Sequence, residues 1–129
     1  MNELSITTIT PRFHETDALG HINNAAVAAW FEVARIDLLE SLGGGPDSAK
    51  NWVLASLTID FIAETFYGSD VIATVNEARL GNSSLTVVCE MSQNDKATVR
   101  GTAVLVYLDA QTKSSVRIPD DLRAQVAAL

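Results

Sequence analysis

Apolar and polar positions alternate through the second half of the chain, and this pattern predicts β-strands. A period of two is expected when one face of a strand is buried and the other is not. Turn-forming pairs, Gly81-Asn82 and Asn94-Asp95, separate successive stretches and favour an antiparallel meander. The apolar positions are Val53, Ala55, Leu57, Ile59 and Phe61, then Val71, Ala73 and Val75, then Leu85, Val87, Cys89 and Met91, and finally Val99, Ala103, Leu105 and Tyr107.

One long helix is predicted from Asn24 to about Leu42. The segment has no Gly or Pro, is rich in Ala, and is stopped by the Gly-Gly-Gly-Pro run at residues 43–46. Apolar residues occupy nearly all of its circumference, which is typical of a buried helix. Before it, the Thr-rich residues 6–13 predict a first strand, in which a proline marks an end or an edge. Residues 119–129 predict a short peripheral helix.

One long buried helix and about five antiparallel strands predict an α+β fold in which the sheet wraps around the helix. A chain of 129 residues can form one core, so residues 1–129 are expected to be a single domain. Cys89, the sole cysteine, has the alternating position of a core residue in a strand. Glu32 and Arg35, three residues apart on the helix, are expected to form an ion pair.

Charge and composition exclude several classes of function. The net charge of −7 argues against broad nucleic-acid binding, because an acidic surface repels a phosphate backbone. The N-terminal residues lack a basic-then-apolar secretion signal, and no apolar stretch is long enough to cross a bilayer. A cytoplasmic protein without a membrane partner is therefore expected. No metal-ligand cluster or phosphate-cradling loop is present in the sequence, so neither a metal nor a cofactor is expected.

The segment between the first strand and the helix concentrates the polar groups with chemical potential. Asp17 lies shortly before the helix start, where backbone N–H groups have no acceptor within the helix. Thioester hydrolysis needs such a carboxylate, which attacks the carbonyl or activates water, and donors for the developing oxyanion. The residues alone favour a plainer interpretation: Asp17 as a turn former, Asn23 or Asn24 as an N-cap, His21 as a satisfied polar side chain and Gly20 as a residue of positive φ.

A family resemblance changes that balance. Residues 12–24, RFHETDALGHINN, followed by WFEVAR at residues 30–35, resemble the signature of the 4-hydroxybenzoyl-CoA thioesterase-like family of hotdog-fold proteins. Later blocks of the family are resembled in the same order by LTIDF, GSD and RLGNSSL, at residues 57–61, 68–70 and 79–85. The resemblance covers nearly the whole chain. It implies a hotdog fold and an acyl-CoA thioesterase that releases a free acid and a thiol.

The resemblance also implies roles for individual residues. In that family the aspartate that matches Asp17 is the catalytic carboxylate, acting as nucleophile or as general base. The backbone N–H that matches Asn24 polarises the thioester carbonyl. His21 and Asn23 match motif positions at which placing the helix start or a water is as reasonable as direct catalysis.

Substrate contacts are expected at two parts of the chain. The first is the loop before the helix together with the first turn of the helix, where Gly20 and Val27 are expected to contact substrate. Val27 replaces an aromatic residue of many relatives, which alters the shape of the acyl pocket. By resemblance, the strand that begins at Asn82, Ser83 and Ser84 runs beside the pantetheine arm, although these are turn residues first. The loop at residues 63–67 lacks the basic and proline residues that often precede the Gly-x-Asp element.

Assembly and alternative functions complete the expectations. The resemblance implies a homodimer or homotetramer, with sheets joined edge to edge and active sites at the subunit interface. One alternative is a thioesterase that acts on acyl carrier protein, against which the acidic charge counts mildly. A hotdog hydratase is disfavoured because hydratases place aspartate and histidine differently. A non-catalytic acyl-CoA-binding module is disfavoured by the retention of Asp17.

Overall fold

The computed structural model describes residues 3–42 and 50–129. The predicted α+β arrangement of five antiparallel strands and one long helix is confirmed. The run at residues 43–46 that was expected to stop the helix lies outside the described residues. The elements are β1 (Ser5–Ile9), a 3-10 turn (Phe13–Glu15), α1 (Asn24–Ser41), β2 (Trp52–Phe61), β3 (Val71–Leu80), β4 (Ser84–Gln93), β5 (Lys96–Tyr107) and α2 (Asp120–Ala127).

The strands form one sheet in the order β1-β3-β4-β5-β2, with every neighbouring pair antiparallel. The predicted meander is confirmed for β3, β4 and β5. Asn94 and Asp95, which join β4 to β5, both have positive φ, at 52° and 64°. Two such residues in a row fit the tight hairpin turns that match strand twist. The edges of the sheet are β1 and β2.

The first strand is shorter than predicted. It ends at Ile9 rather than continuing to Phe13, and Phe13 begins the 3-10 turn instead. Pro11 explains this difference, because it has no N–H to donate to a neighbouring strand. The chain therefore leaves the sheet after Ile9, and the segment that follows turns toward the start of α1.

One face of α1 packs on the sheet and forms the core with it. Phe31 is buried against β5 at Gly101, where an added Cβ would lie only 2.8 Å from the Phe31 ring. The glycine therefore lets the helix approach the sheet closely. The opposite side of α1 is less covered than predicted, since Val33 is exposed. The buried helix residues are Ala26, Val27, Trp30, Phe31, Ala34, Arg35, Leu38 and Leu39.

The core position predicted for Cys89 is confirmed. Cys89 is buried in β4 beneath the helix, and burial raises the pKa of its thiol to about 11. The thiol is therefore protonated at neutral pH and shielded from substrate, so it is not a nucleophile.

The predicted ion pair between Glu32 and Arg35 does not form, since no nitrogen of Arg35 lies within 4 Å of the Glu32 carboxylate. Arg35 is buried, with 4% of its surface exposed, and its Nη1 has no hydrogen-bond partner among the described residues. Burial lowers the pKa of Arg35, while the nearby charge of Glu32 acts in the opposite direction. The guanidinium lies under the helix, whereas Glu32 faces solvent.

The apolar face predicted for β2 is not buried within the single chain. Val53 is 43% exposed and Phe61 is 51% exposed. The alternation was interpreted as contact with the core, but β2 is an edge strand that pairs with β5 alone. Leu57 and Ile59 are half-buried.

No helix in the ranges 3–42 and 50–129 is long and apolar enough to cross a bilayer.

Candidate active site

The loop between β1 and α1 folds into a tight turn that brings Asp17 next to His21. The backbone N–H of Asp17 donates to the carbonyl of His21 at 2.7 Å, and the N–H of Gly20 donates to the carbonyl of Asp17 at 3.3 Å. Gly20 has φ of +83°, a conformation that costs a glycine little. Gly20 therefore has the turn role that local chemistry favoured.

The carboxylate of Asp17 is anchored through one of its two oxygens. Oδ1 accepts hydrogen bonds from the backbone N–H groups of Leu19 at 2.8 Å and His21 at 3.0 Å. Oδ2 carries no hydrogen bond from the described part of the chain, and 41% of the side-chain surface is exposed. One oxygen thus fixes the group, and the other is available to a nucleophilic or basic role.

The start of α1 lies beside this carboxylate and is held by a side-chain cap. Asn23 is the N-cap, and its Oδ1 accepts from the N–H of Ala26 at 2.8 Å. Asn24 is the first helical residue, where the backbone N–H has no acceptor inside the helix and the helix dipole is positive. The helix start therefore offers Asn24 as a donor to an oxyanion, whereas the side chain of Asn23 is already engaged.

Glu15, which the sequence pattern did not single out, connects the loop to the helix. Its Oε1 accepts from the N–H of Arg12 at 2.7 Å, and its Oε2 accepts from Trp30 Nε1 at 2.9 Å. Its carbonyl accepts from the N–H of Asn23 at 2.8 Å. The only available signal was a carboxylate within the motif, two residues before Asp17, and a tryptophan on the helix that follows.

The opposite wall is formed by the loop after β2. The N–H of Ile22 donates to the carbonyl of Thr65 at 2.8 Å, and the rings of His21 and Phe66 meet edge to face at 5.2 Å. Gln93, a buried residue at the end of β4, accepts from the N–H of Phe66 and donates to the carbonyls of Phe66 and Ser69. The side chain of Gln93 therefore fixes this wall.

These two loops enclose a cleft of about 380 Å³. It brings together four of the predicted site residues: Asp17, His21, Asn24 and Val27. The lining combines polar and apolar side chains. Its lining residues are Asp17, His21, Ile22, Asn24, Val27, Phe61, Ile62, Ala63, Glu64 and Thr65.

The remaining predicted residues lie elsewhere. Gly20 and Asn23 adjoin the cleft without lining it. Asn82, Ser83 and Ser84 lie at the far end of β3, which has ten residues and is therefore about 30 Å long. Their turn is bound to the C-terminal segment, since Ile118 donates to the carbonyl of Asn82 at 3.0 Å. Their contact with substrate stays a prediction.

Glu64 is a second carboxylate in the cleft, which the sequence did not reveal. Its Oε1 lies 3.4 Å from Nε2 of His21, while Nδ1 of His21 lies 4.0 Å from Oδ2 of Asp17. Across the part of the chain that the structure describes, no group of three or more His, Cys, Asp or Glu residues is arranged to hold a metal ion.

Comparison with known proteins identifies the family. The model of the thioesterase-like superfamily matches residues 11–126. The chain belongs to this superfamily. The predicted resemblance to hotdog-fold thioesterases is thereby confirmed.

Solved structures of thioesterases share the fold over nearly the whole chain. A predicted thioesterase from Bacillus stearothermophilus is 37% identical, with a TM-score of 0.88 over 96% of this chain and 94% of that one. A thioesterase from Thermus thermophilus, complexed with coenzyme A and Zn, is 26% identical, with a TM-score of 0.90 over 98% and 93%. A DHNA-CoA thioesterase from Staphylococcus aureus is 26% identical, with a TM-score of 0.83 over 97% and 91%.

A curated relative matches a shorter region. The uncharacterized protein YsmA of Bacillus subtilis (strain 168) is 30% identical over 80 residues, which are 61% of this chain and 54% of that relative. The match thus spans about half the length of YsmA. Together, the family and the thioesterase structures support a thioester hydrolase.

Substitution of Asn23 separates helix capping from chemistry. Asn23→Ala removes the acceptor for the N–H of Ala26, so we expect the free energy of unfolding to fall by about 1 kcal/mol in urea denaturation. Asn23→Ser retains a neutral acceptor oxygen and should retain stability. If Asn23→Ser is as stable as the parent but has lost thioester hydrolysis, the side chain has a chemical role beyond capping.

Proposed function

We propose that the protein is an acyl-CoA thioesterase, which hydrolyses an acyl thioester to a free acid and a thiol. The observation that carries the proposal is a cleft lined by both Asp17, whose carboxylate is anchored through one oxygen, and Asn24, the first residue of α1. Membership of the thioesterase-like superfamily supports the reaction. A relative that was crystallised with coenzyme A supports the thiol carrier.

The proposed reaction uses Asp17 and the helix start together. The thioester carbonyl oxygen lies at the N–H of Asn24, where the N–H and the helix dipole stabilise the negative charge of the transition state. Oδ2 of Asp17 either attacks the carbonyl carbon and expels the thiolate, giving an anhydride that water hydrolyses, or takes a proton from an attacking water. In both routes the acyl group leaves as a carboxylic acid.

The apolar part of the cleft lining is the proposed acyl pocket. Val27 lies one helical turn from the oxyanion site and lines the cleft together with Phe61 and Ile62, which suits a hydrocarbon or aromatic group. His21 lies beside Asp17 and is proposed to assist it. Gly20 and Asn23 are proposed to support the site through the turn and the helix cap.

We also propose that the chain assembles as a homodimer or homotetramer. The edge strand β2 presents unpaired backbone groups and exposed apolar side chains, including Val53, Leu54 and Phe61, which edge-to-edge pairing with a second copy would cover. Within one chain, Asn82, Ser83 and Ser84 lie at the opposite end of the ten-residue β3 from the cleft. They are therefore proposed to contact the pantetheine arm bound in a second copy.

Light scattering at micromolar concentration tests the assembly. We expect a mass of at least twice the 13.8 kDa of one chain. Leu54→Lys should shift the equilibrium toward monomer, because a charge on an edge strand opposes pairing, whereas Val116→Lys, at an exposed position outside the sheet, should not. A parent protein found only at 13.8 kDa contradicts the proposal.

Asp17→Asn tests the chemistry while keeping the shape of the side chain. An amide can still accept the two backbone hydrogen bonds at Oδ1, but it cannot act as nucleophile or base. We expect kcat to fall by about 10²–10⁴-fold, with the melting temperature and acyl-CoA affinity near those of the parent. The assay is release of free thiol across aromatic, short, medium and long acyl-CoAs.

Asp109→Asn is a matched control for this variant. Asp109 also accepts backbone hydrogen bonds through Oδ1, from Gln111 at 2.9 Å and Thr112 at 3.0 Å, but in a turn outside the cleft. Its activity should equal that of the parent. Normal turnover by Asp17→Asn would mean that Asp17 is structural. A parent that binds acyl-CoA but hydrolyses none of the panel is a binding module instead.

Val27 is expected to set acyl selectivity, and a size series tests this. Val27→Ala enlarges the apolar part of the cleft and should favour longer or broader acyl groups, whereas Val27→Tyr should favour shorter ones. Changes of a few methylene equivalents alter discrimination by ~1–3 kcal/mol, measured as ratios of kcat/KM. An unchanged ranking in both folded variants places Val27 outside the acyl pocket.

A further inference from the structure

We propose that Glu64 is a positioning residue for thioester hydrolysis, which holds the His21 ring with Nδ1 turned toward Asp17. The inference rests on the proposed function and adds to it a residue that the family motif does not contain. Two distances motivate it: 3.4 Å from Glu64 Oε1 to His21 Nε2, and 4.0 Å from Asp17 Oδ2 to His21 Nδ1. The imidazole thus lies between two carboxylates in one cleft.

The other contacts of His21 do not select this orientation. Backbone pairing with Asp17 and Phe66 fixes the main chain of His21 but leaves the ring free to rotate. The Phe66 ring packs against the imidazole at an interplanar angle of 70°, and an apolar ring does not distinguish one nitrogen from the other. Glu64 does distinguish the two ring nitrogens, because its carboxylate can accept a hydrogen bond from Nε2–H. The hydrogen bond made by one ring nitrogen determines which nitrogen carries the proton, and so whether the other nitrogen donates or accepts.

The backbone of Glu64 is held well enough to serve this purpose. On one side, the N–H of Ala63 donates to the carbonyl of Thr98 at 3.0 Å. On the other, the carbonyl of Thr65 accepts from Ile22, and buried Gln93 binds both backbone groups of Phe66. The Glu64 side chain therefore extends into the cleft from a fixed point.

Stability gives no sufficient reason for the contact between Glu64 and His21. The Glu64 side chain is 62% exposed, and the His21 side chain is 28% exposed. Exposed ion pairs contribute little to folding, because water screens them and two side chains must be ordered. The contact between Glu64 and His21 lies in the cleft. Among the described residues that line the cleft there is no Lys or Arg, so His21 is the one basic side chain beside Asp17.

A double-mutant cycle on kcat distinguishes positioning through His21 from an independent role. Glu64→Gln replaces the charged acceptor of Nε2–H by a weaker, neutral amide oxygen. It should lower kcat about tenfold, the size of coupling common between contacting residues, with KM within about twofold of the parent. In the His21→Asn background the same substitution should have no further effect. Glu64→Asp keeps the charge and should recover part of the loss. Melting temperatures of all these proteins should agree within a few degrees.

Glu77→Gln is the matched control. Glu77 forms an exposed ion pair with Arg79, also at 3.4 Å, on β3 and outside the cleft. It should leave kcat unchanged. An equal loss of kcat from Glu64→Gln with and without His21, or no loss at all, overturns the proposal.

A measurement on the ring itself separates this inference from the proposed activity. The chain has two histidines, so the ring nitrogen signals of His21 are assigned by nuclear magnetic resonance with His14→Asn as reference. Glu64→Gln should shift the Nε2 and Nδ1 signals of His21, and Glu77→Gln should not. Unshifted signals contradict positioning even if the enzyme is active. Shifted signals support it even if no acyl-CoA in the panel is hydrolysed.

Discussion

The hydrogen bonds of Glu15 hold the start of α1 against the loop that carries Asp17, and the geometry of the cleft depends on them. One carboxylate oxygen binds the indole of Trp30, the other binds the N–H of Arg12, and the backbone carbonyl binds Asn23. A helix N-terminus can stabilise an oxyanion only at close range, because its unpaired N–H groups and its dipole act within the first turn. Glu15 therefore keeps the first turn of α1 beside the carboxylate of Asp17.

The second wall of the cleft, the loop after β2, depends on a contact with the end of β4. Gln93 lies at the end of β4, yet its side-chain amide replaces the backbone pairing that the loop at residues 66–69 lacks. Apart from the single backbone bridge between Phe66 and His21, this loop has no strand neighbour among the described residues, and Gln93 binds backbone groups that would otherwise lack a partner. The proposed reaction thus takes place between one segment held by a glutamate and another held by a glutamine.

The sequence predicted the parts of the molecule that depend on local pattern. Asp17, His21, Asn24 and Val27 fall within eleven residues, so one motif and one helix start were enough to place them together. Glu64 approaches His21 only because two loops meet, and no periodicity encodes that contact. The exposure of β2 escaped prediction for another reason: alternation shows which face is apolar, but not whether the same chain covers it.

The missing side chain at Gly101 also limits how this protein can change. Phe31 packs directly over the backbone at Gly101, so a side chain at position 101 would collide with its ring and push α1 away from the sheet. Val27 lies one turn before Phe31 on the same buried face, and its distance from the sheet is fixed with it. Evolution can then widen or narrow the space beside Asp17 most directly by exchanging the residue at position 27. Repositioning the helix would require rebuilding the strand beneath it.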